Sequence, residues 1–248
     1  MKINFFLKFV GFLIYPSCRP LHIGNHPILY NDRNILKTAA LTIEYNYLLE
    51  TKYKNINIYN ITRFSDRGIR IEHKRGNIYT FRGTMNNNMN DWNINLNRKL
   101  INYPSLSNMF CKIKVHCGFY EDYMKYKNVI LNLVSQDGKD IVITGHSSGS
   151  AYAMFLALDI YRLFPEKNIK LVTFGMPKIG NEAFVNYVKK NIDIQQDHYI
   201  LDDDIVSEFP LSSEYQKFDD LKKNKYINIF QFKKYFKSHS MTEYTKCI

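Results

Sequence analysis

Helical and strand-like hydrophobic patterns alternate along the second half of the chain. Apolar residues at helical spacing are followed repeatedly by short β-branched and apolar runs, of which Ile141 to Thr144 is the clearest. This alternation is typical of a parallel sheet whose strands are connected by helices, so an α/β fold is predicted. The predicted elements are a helix over 119–134, a strand over 141–144, a helix over 151–164, a strand over 171–174, a helix over 181–190 and a strand over 199–201.

The first third of the chain is patterned differently. Residues 30–52 have apolar residues at helical spacing and predict a helix, whereas residues 54–82 alternate between glycine turns and predict strands. Residues 1–17 contain an apolar stretch, which is either a signal or anchor segment or a first helix ending at Pro16. The chain contains no uninterrupted apolar run of about 18 residues, so an ordinary transmembrane helix is not predicted. The chain 1–248 is therefore predicted to form a single domain.

Net charge and cysteine content limit the kinds of partner and cofactor that the chain is expected to bind. The net charge of +11 comes from scattered side chains, which favours a solvated face but leaves attraction to anionic lipid open. No nucleic-acid recognition motif accompanies the basic residues, so nucleic acid is not an expected partner. The four cysteines lack metal-ligand spacing, and neither a metal nor another cofactor is predicted. They are Cys18, Cys111, Cys117 and Cys247.

The segment Gly145-His146-Ser147-Ser148-Gly149 carries the candidate chemistry. An apolar β-branched strand leads into it and an apolar helix without glycine or proline leads out, as a nucleophile elbow requires. Its two glycines allow a tight turn that strains Ser147 and presents its hydroxyl at the N-terminus of the helix. Ser147 is therefore the candidate nucleophile of a serine hydrolase. The backbone N–H of Ser148 is a candidate donor for an oxyanion hole.

A serine nucleophile needs a histidine base and an acid that orients it. In hydrolases with this elbow, the acid and then the histidine follow the serine along the chain. Only His198 and His239 follow Ser147, and only His239 has a carboxylate at a strand end before it, in the run Asp202-Asp203-Asp204. His198 is expected at the start of the last strand, at the wrong end of the sheet. Strand alternation places Asp202 and Asp204 on one face and does not choose between them.

Seven segments of the chain stand out together: Phe81–Thr84, Asp91-Trp92, Val115–Phe119, Gly145–Gly149, Val172–Asn181, Asp204–Val206, and Ser238–Ser240 with Glu243-Tyr244 behind it. Their sequences and their order make the chain resemble the class 3, fungal-type, lipases of the α/β-hydrolase superfamily. The resemblance implies an α/β-hydrolase fold, with a predominantly parallel central sheet flanked by helices and a lid segment after the oxyanion strand. It also selects Asp204 as the acid and implies the triad Ser147, Asp204 and His239.

The resemblance also bears on the oxyanion hole and on the departures from the family pattern. Thr84 follows Gly83 at the oxyanion strand end and would supply a second donor through its N–H and its hydroxyl. Ser148 and Ser150 stand where the family usually has leucine and glycine, and Ser207 stands where it usually has proline. Only 34 residues separate the acid from the histidine. None of these departures removes a catalytic group, although Ser148 is expected to affect acyl-chain preference.

Residues 85–100 would form the lid by family position. Met85, Met89, Trp92 and Leu96 recur at helical spacing, so one apolar face would cover the site and open against lipid. In the alternative interpretation, Trp92 is a fixed core anchor and the rest is a plain loop, since the asparagines here weaken a helix.

Fungal members of the family often join their termini by a disulfide, which makes Cys18 and Cys247 a candidate pair. Four reduced thiols are the alternative, because a disulfide requires an oxidising compartment. The protein is expected to be secreted or membrane-associated if residues 1–17 act as a signal or anchor, and cytoplasmic otherwise.

The resemblance and the triad together predict a serine ester hydrolase, a lipase that cleaves acyl esters of lipids such as triacylglycerol through an acyl-enzyme. Phospholipase A1, small-ester or thioesterase activity of the same triad, and a catalytically silent lipid-binding protein, are the alternatives. The expected partner is a lipid ester at a membrane or droplet interface, with peripheral association of a monomer. His146 and His116 are expected to pack or brace the site locally.

Overall fold

A computed structural model describes residues 18–23, 39–43, 58–73, 76–104, 112–218 and 238–246. The strands are β1 (Cys18–Ile23), β2 (Ile58–Arg63), β3 (Gly68–His73), β4 (Asn77–Phe81), β5 (Leu100–Asn102), β6 (Lys114–His116), β7 (Asp140–His146), β8 (Asn168–Phe174) and β9 (Gln195–Leu201). The helices are α1 (Met89–Leu96), α2 (Cys117–Gln136), α3 (Ser148–Leu163), α4 (Glu182–Asn191) and α5 (Met241–Lys246), with a 3₁₀ turn at Ile205–Glu208. Residues 1–17, Cys111 and Cys247 lie outside the described residues.

The main sheet has seven strands in the order β1-β9-β8-β7-β4-β3-β2. Strands β4, β7, β8 and β9 run parallel, while β1 at one edge and β3 and β2 at the other pair antiparallel. The predominantly parallel sheet predicted from the alternating pattern is confirmed. Because parallel strands end at the same edge, the residues that follow β4, β7, β8 and β9 come together there.

Helices cover both faces of this sheet. Helix α3 is buried along almost its whole length, from Ser148 to Ile160, as expected for a helix that is apolar on all sides. With α2 and α4 it packs over one face. On the other face, a helical segment at residues 39–43 and helix α5 pack against Val172 and Phe174. The predicted helix over 30–52 is therefore seen in the part that is described. No helix among the described ranges is long and apolar enough to cross a membrane.

Strand β9 begins four residues earlier than the pattern predicts. His198 consequently lies in the middle of the strand, and its predicted place at the strand start is wrong. Two of the polar residues that hid this part of the strand have partners on β8. Asp197 forms a buried ion pair with Lys170 on β8, and His198 Nδ1 lies 2.7 Å from the Thr173 hydroxyl.

Candidate active site

Ser147 lies on the tight turn between β7 and α3. Its φ of 55° and ψ of −130° are rarely adopted by residues with a side chain. Among the residues that the structure describes, it is the only non-glycine residue with a positive φ. Such strain costs about 1–3 kcal/mol and persists only where the surroundings fix the backbone. Here the Ser147 N–H donates to the Phe174 carbonyl at 2.9 Å, so the predicted strained turn is confirmed.

Gly145 and Gly149 are needed because backbone packs closely against this turn. A Cβ on Gly145 would lie 2.3 Å from the carbonyl oxygen of Gly149. A Cβ on Gly149 would lie 2.4 Å from the carbonyl oxygen of Phe81, the last residue of β4. The absence of side chains therefore lets the elbow lie directly against the strand end that leads into Thr84.

Two of the serines that depart from the family pattern are accommodated by hydrogen bonds. Ser150 Oγ donates to the Gly145 carbonyl at 2.9 Å, which ties the first turn of α3 back to β7. Ser207 Oγ donates to the Asp204 carbonyl at 2.9 Å and so closes the 3₁₀ turn after the acid. Each of these two serine hydroxyls therefore has a hydrogen-bond partner within the fold.

Asp204, which is buried, and His239, which is partly exposed, form a hydrogen-bonded pair beside the elbow. Asp204 follows β9, and its Oδ2 lies 2.7 Å from His239 Nδ1. Their side chains are 0% and 13% exposed, respectively. Because an ionised carboxylate only accepts, Nδ1 carries the hydrogen and Nε2 of a neutral His239 is left as the basic nitrogen. Of the three adjacent carboxylates, Asp204 is the one bonded to His239.

The environment of Asp204 favours its ionised form. Burial alone would raise its pKa, but the charge and hydrogen bond of His239, together with hydrogen bonds from Tyr244 and the Val206 N–H, lower the pKa below its ordinary value. The Val206 N–H donates to Oδ1 at 2.9 Å. The carboxylate is therefore kept charged although it is out of contact with water.

Tyr244 is a site residue that the sequence places in a family-like segment, behind Ser238–Ser240, but to which sequence reasoning assigned no role. Its hydroxyl lies 2.5 Å from Asp204 Oδ2 and accepts a hydrogen bond from the Leu201 N–H at 3.2 Å. The side chain is fully buried on α5, five positions after His239. Tyr244 thus joins the histidine-bearing end of the chain to the end of β9, on which the acid depends. The motif shows that the tyrosine follows His239, but its bond to Asp204 is visible only in the fold.

Gly175 is a second residue to which sequence reasoning assigned no role, although it lies within the family-like segment Val172–Asn181. It follows β8 with a φ of +57°, and a Cβ there would lie 2.6 Å from Asp204 Oδ2 and 2.9 Å from His239 Cε1. Only glycine leaves space for the acid and the base to meet at this position. The signal in the sequence was its position directly after the predicted strand 171–174, where site residues are expected.

His146 anchors His239 from the elbow side. Its Nε2 donates to the His239 carbonyl at 2.7 Å, and the two rings lie 4.7 Å apart. Burial, assisted by the neighbouring His239, lowers the pKa of His146 to about 3. His146 is therefore neutral, as local packing requires. Because His146 directly precedes Ser147, its hydrogen bond holds His239 next to the elbow.

His116 has the bracing position expected of it. Its Nδ1 accepts from the Phe119 N–H at 3.3 Å at the start of α2, and its ring stacks on Phe119 at 3.8 Å. Burial lowers its pKa to about 4, although a hydrogen bond to the backbone of Asn95 opposes that shift. The side chain therefore connects α2 with α1 as a neutral ring.

Thr84 and Ser148 meet at the mouth of the elbow. Thr84 Oγ1 lies 3.2 Å from Ser148 Oγ and accepts from Asn95 Nδ2 at 2.8 Å. Ser148 is the first residue of α3, where backbone N–H groups have no acceptor within the helix. The two predicted oxyanion donors are thus neighbours in the structure, on opposite sides of the turn.

Helix α1 forms where the lid was expected. Asn88 caps it, since its side-chain oxygen accepts from the Asn90 N–H at 3.0 Å. Met85 precedes the helix and does not share its face. The three remaining apolar lid residues are exposed, and the interpretation of Trp92 as a core anchor is wrong. The exposed fractions are 74% for Met89, 39% for Trp92 and 66% for Leu96.

The opposite side of α1 is fixed by charge. Asp91 is fully buried and pairs with Arg67 and, at 2.8 Å, with Arg82. Its Oδ2 also accepts from the Met85 N–H at 2.8 Å. Arg82 donates in addition to the Gly83 carbonyl at 2.8 Å. Asp91 therefore holds the backbone after Thr84 directly and the backbone before Thr84 through Arg82.

Comparison with known proteins agrees with this architecture. The family model for lipase (class 3) matches residues 78–214, which is more than half of the chain. A lipase of Rhizomucor miehei is 34% identical over 116 residues, covering 44% of this chain and 30% of that protein. A secreted mono- and diacylglycerol lipase of Malassezia restricta is 31% identical over 104 residues, covering 39% of this chain and 35% of that protein. The matched part of the chain thus spans about a third of each of these relatives.

Solved lipase structures have the same fold. The Rhizomucor miehei lipase–propeptide complex superposes with a TM-score of 0.59 at 20% identity, covering 83% of this chain and 78% of that one. A triacylglycerol lipase from Penicillium expansum gives a TM-score of 0.59 at 15% identity, covering 75% of this chain and 76% of that one. Together, the match of the family model, the order of the motifs and the shared α/β-hydrolase fold show that the chain belongs to the class 3 lipase family.

Proposed function

We propose that the protein is a serine carboxylic-ester hydrolase that cleaves acyl esters of lipids with Ser147, Asp204 and His239. The 2.7 Å contact between His239 Nδ1 and Asp204 Oδ2, beside the strained Ser147 elbow, is the observation that carries the proposal. A serine hydroxyl becomes nucleophilic when a positioned base takes its proton, and this pair supplies such a base.

In the proposed reaction, Ser147 Oγ attacks the ester carbonyl while His239 Nε2 accepts the hydroxyl proton. Asp204 accepts the Nδ1–H, which holds the ring in the required tautomer and stabilises the imidazolium that forms. The tetrahedral intermediate collapses as its C–O bond breaks, and the imidazolium gives its proton to the leaving alcohol. Water then attacks the acyl-Ser147 ester by the same sequence and releases the carboxylic acid.

The oxyanion of the tetrahedral intermediate requires preorganised donors. We assign this role to the backbone N–H of Ser148, and to Thr84 through its N–H and hydroxyl. Loss of one such donor typically costs about 10²–10³-fold in turnover. The connection of Asp91 to both sides of Thr84 supports the assignment, because an oxyanion donor must be held in place before the reaction.

The substrate class within this proposal is an acylglycerol. Relatives named lipase and secreted mono- and diacylglycerol lipase favour it over a small ester. The exposed apolar side chains of α1 would meet a lipid surface as the lid, with the protein bound peripherally as a monomer. Rates should then rise sharply when the substrate passes from monomers to aggregates. A smooth saturation curve through that transition would instead favour an ordinary esterase.

Covalent labelling tests the central assignment. A fluorophosphonate probe should modify Ser147, and Ser147→Ala should lower ester hydrolysis by at least about 10⁴-fold while the thermal midpoint stays nearly unchanged. The matched control is Ser135→Ala, since Ser135 is exposed on α2 and bonds only locally to the Asn132 carbonyl. If Ser147→Ala retained ester hydrolysis, or if the fluorophosphonate modified a residue other than Ser147, the proposal would be refuted.

Parallel rates on acylglycerol emulsions, phospholipid vesicles, p-nitrophenyl esters and acyl thioesters then resolve the substrate class. Preference for phospholipid vesicles would replace the acylglycerol assignment with a phospholipase. Preference for a thioester would replace it with a thioesterase.

A further inference from the structure

Ser148 is unusual for a residue directly after a lipase nucleophile, because it is polar and yet almost completely buried. Its exposed fraction is 2%. The family usually has leucine at this position, so the serine is a property of this chain. A buried hydroxyl is normally hydrogen-bonded, and the Ser148 hydroxyl lies 3.2 Å from Thr84 Oγ1.

The hydrogen bonds of Thr84 restrict where its proton can point. A threonine hydroxyl has one hydrogen and two lone pairs. Asn95 Nδ2 donates to one lone pair at 2.8 Å. If Ser148 donates to the other, the single hydrogen of Thr84 is left for an acceptor outside this group. In the proposed reaction, the developing oxyanion would be such an acceptor, and the backbone N–H of Ser148 would also bind it.

We infer that Ser148 is a positioning residue for the oxyanion hole, and that its hydroxyl directs the Thr84 O–H toward the negative charge of the tetrahedral intermediate. The inference rests on the proposed function and deepens it. A freely rotating hydroxyl must be oriented when the charge forms, whereas an oriented one stabilises the charge without that cost. The Ser148 side chain therefore acts through Thr84, and it stabilises the transition state more than it stabilises the bound substrate.

A double-mutant cycle separates this role from a role in shaping the acyl pocket. The variants are Ser148→Ala, Thr84→Val and their combination, assayed with a soluble p-nitrophenyl ester. Ser148→Ala should lower kcat about tenfold with KM nearly unchanged, which is the size of one hydrogen bond lost in the transition state. Thr84→Val should lower kcat by about 10²–10³-fold. The combination should be no worse than Thr84→Val alone, because Ser148 then has no hydroxyl to direct.

Two matched variants complete the experiment. Thr84→Ser keeps the hydroxyl, so Ser148→Ala should again cost about tenfold in that background. Ser150→Ala removes a buried hydroxyl of the same turn that bonds to the Gly145 carbonyl instead of Thr84, so its effect should multiply with that of Thr84→Val.

Multiplying losses in the Ser148 and Thr84 cycle would overturn the inference, as would a change in KM at constant kcat for Ser148→Ala. Either result in an enzyme that depends on Ser147 would leave the proposed function standing. Activity that survives Ser147→Ala would remove the proposed function itself.

Discussion

Asp91 offers the sharpest test of how the site is held together. Its carboxylate is fully buried between two buried guanidinium groups, those of Arg67 and Arg82. Arg67 also lies 3.4 Å from the buried carboxylate of Asp122, so the buried part of the cluster contains two positive and two negative charges. The more exposed Asp66, beside Arg82, and Lys125, beside Asp122, lie at its edge. Asp91→Asn preserves the shape of the side chain and removes one negative charge. The cluster then carries an uncompensated positive charge away from water.

The expected loss of stability is large. Breaking a buried ion pair from one side typically costs about 3–5 kcal/mol, because the remaining charge is neither solvated nor paired. A domain has only about 5–15 kcal/mol of unfolding free energy in total. For a chain of this size, each kcal/mol shifts the thermal midpoint by about 2–4 °C. Asp91→Asn should therefore lower the midpoint by about 6–20 °C.

Urea unfolding at 15 °C, followed by circular dichroism, measures this loss directly. Asp66→Asn is the matched control, since Asp66 approaches the same Arg82 at 3.6 Å but is 47% exposed. A half-exposed pair of this kind contributes at most about 1 kcal/mol. Turnover of Asp91→Asn should also fall at temperatures where it is folded, because Asp91 bonds the backbone beside Thr84. If both variants lose less than about 1 kcal/mol, the burial argument is refuted.

Three further predictions concern the acid, its tyrosine and the buried histidines. Asp204→Asn should lower turnover by about 10⁴-fold, through the wrong imidazole tautomer, while Asp203→Asn has little effect; a sensitive Asp203 would show that the acid is misassigned. Tyr244→Phe removes a hydrogen bond to the Asp204 carboxylate, so it should raise the pKa of Asp204 and lower kcat about tenfold; an unchanged kcat and pH profile would make Tyr244 purely structural. Burial lowers the pKa of His116 and His198 to about 4 and that of His146 to about 3. Between these values and about pH 6.5, the unfolded chain therefore binds more protons than the folded chain, and the free energy of unfolding should fall from pH 7 to pH 5. Urea titrations that give the same unfolding free energy at both pH values would contradict this, and His198→Asn should reduce the slope.

The parts of the fold that sequence analysis predicts are those specified by local pattern. The run from Ile141 to Thr144 is β-branched and apolar, and it forms the central strand β7. The elbow is recognisable because its strand, glycines and helix are contiguous. In β9, by contrast, Gln195 to His198 are polar, and this part of the strand is hidden from a hydrophobicity argument. Its pairing with Lys170 and Thr173 depends on contacts that a local pattern does not contain.

Site residues divide in the same way. Ser147 and His239 follow from motif and chain order, because the chemistry requires those residue types. Tyr244 and Gly175 lie in family-like segments, but the chemical step does not itself require their residue types, and both acquire their roles from contacts with Asp204. Asn95 acquires its role from its contact with Thr84, 11 positions away. The asparagines of α1 illustrate the limit. They weaken a helix on average, yet Asn88 caps this one and Asn95 bonds to Thr84.

The short interval between the acid and the histidine is compatible with the site because contacts outside that interval fix both groups. Asp204 and His239 are separated by only 34 residues. His239 is held through its backbone carbonyl by His146 at 2.7 Å, which belongs to the elbow. Asp204 is held by Tyr244 at 2.5 Å, which lies beyond the histidine. Each catalytic candidate is thus positioned by the element that carries another member of the site. The positions of Asp204 and His239 are therefore fixed by the sheet, the elbow and α5. A short connection between the two residues does not alter the geometry of either one.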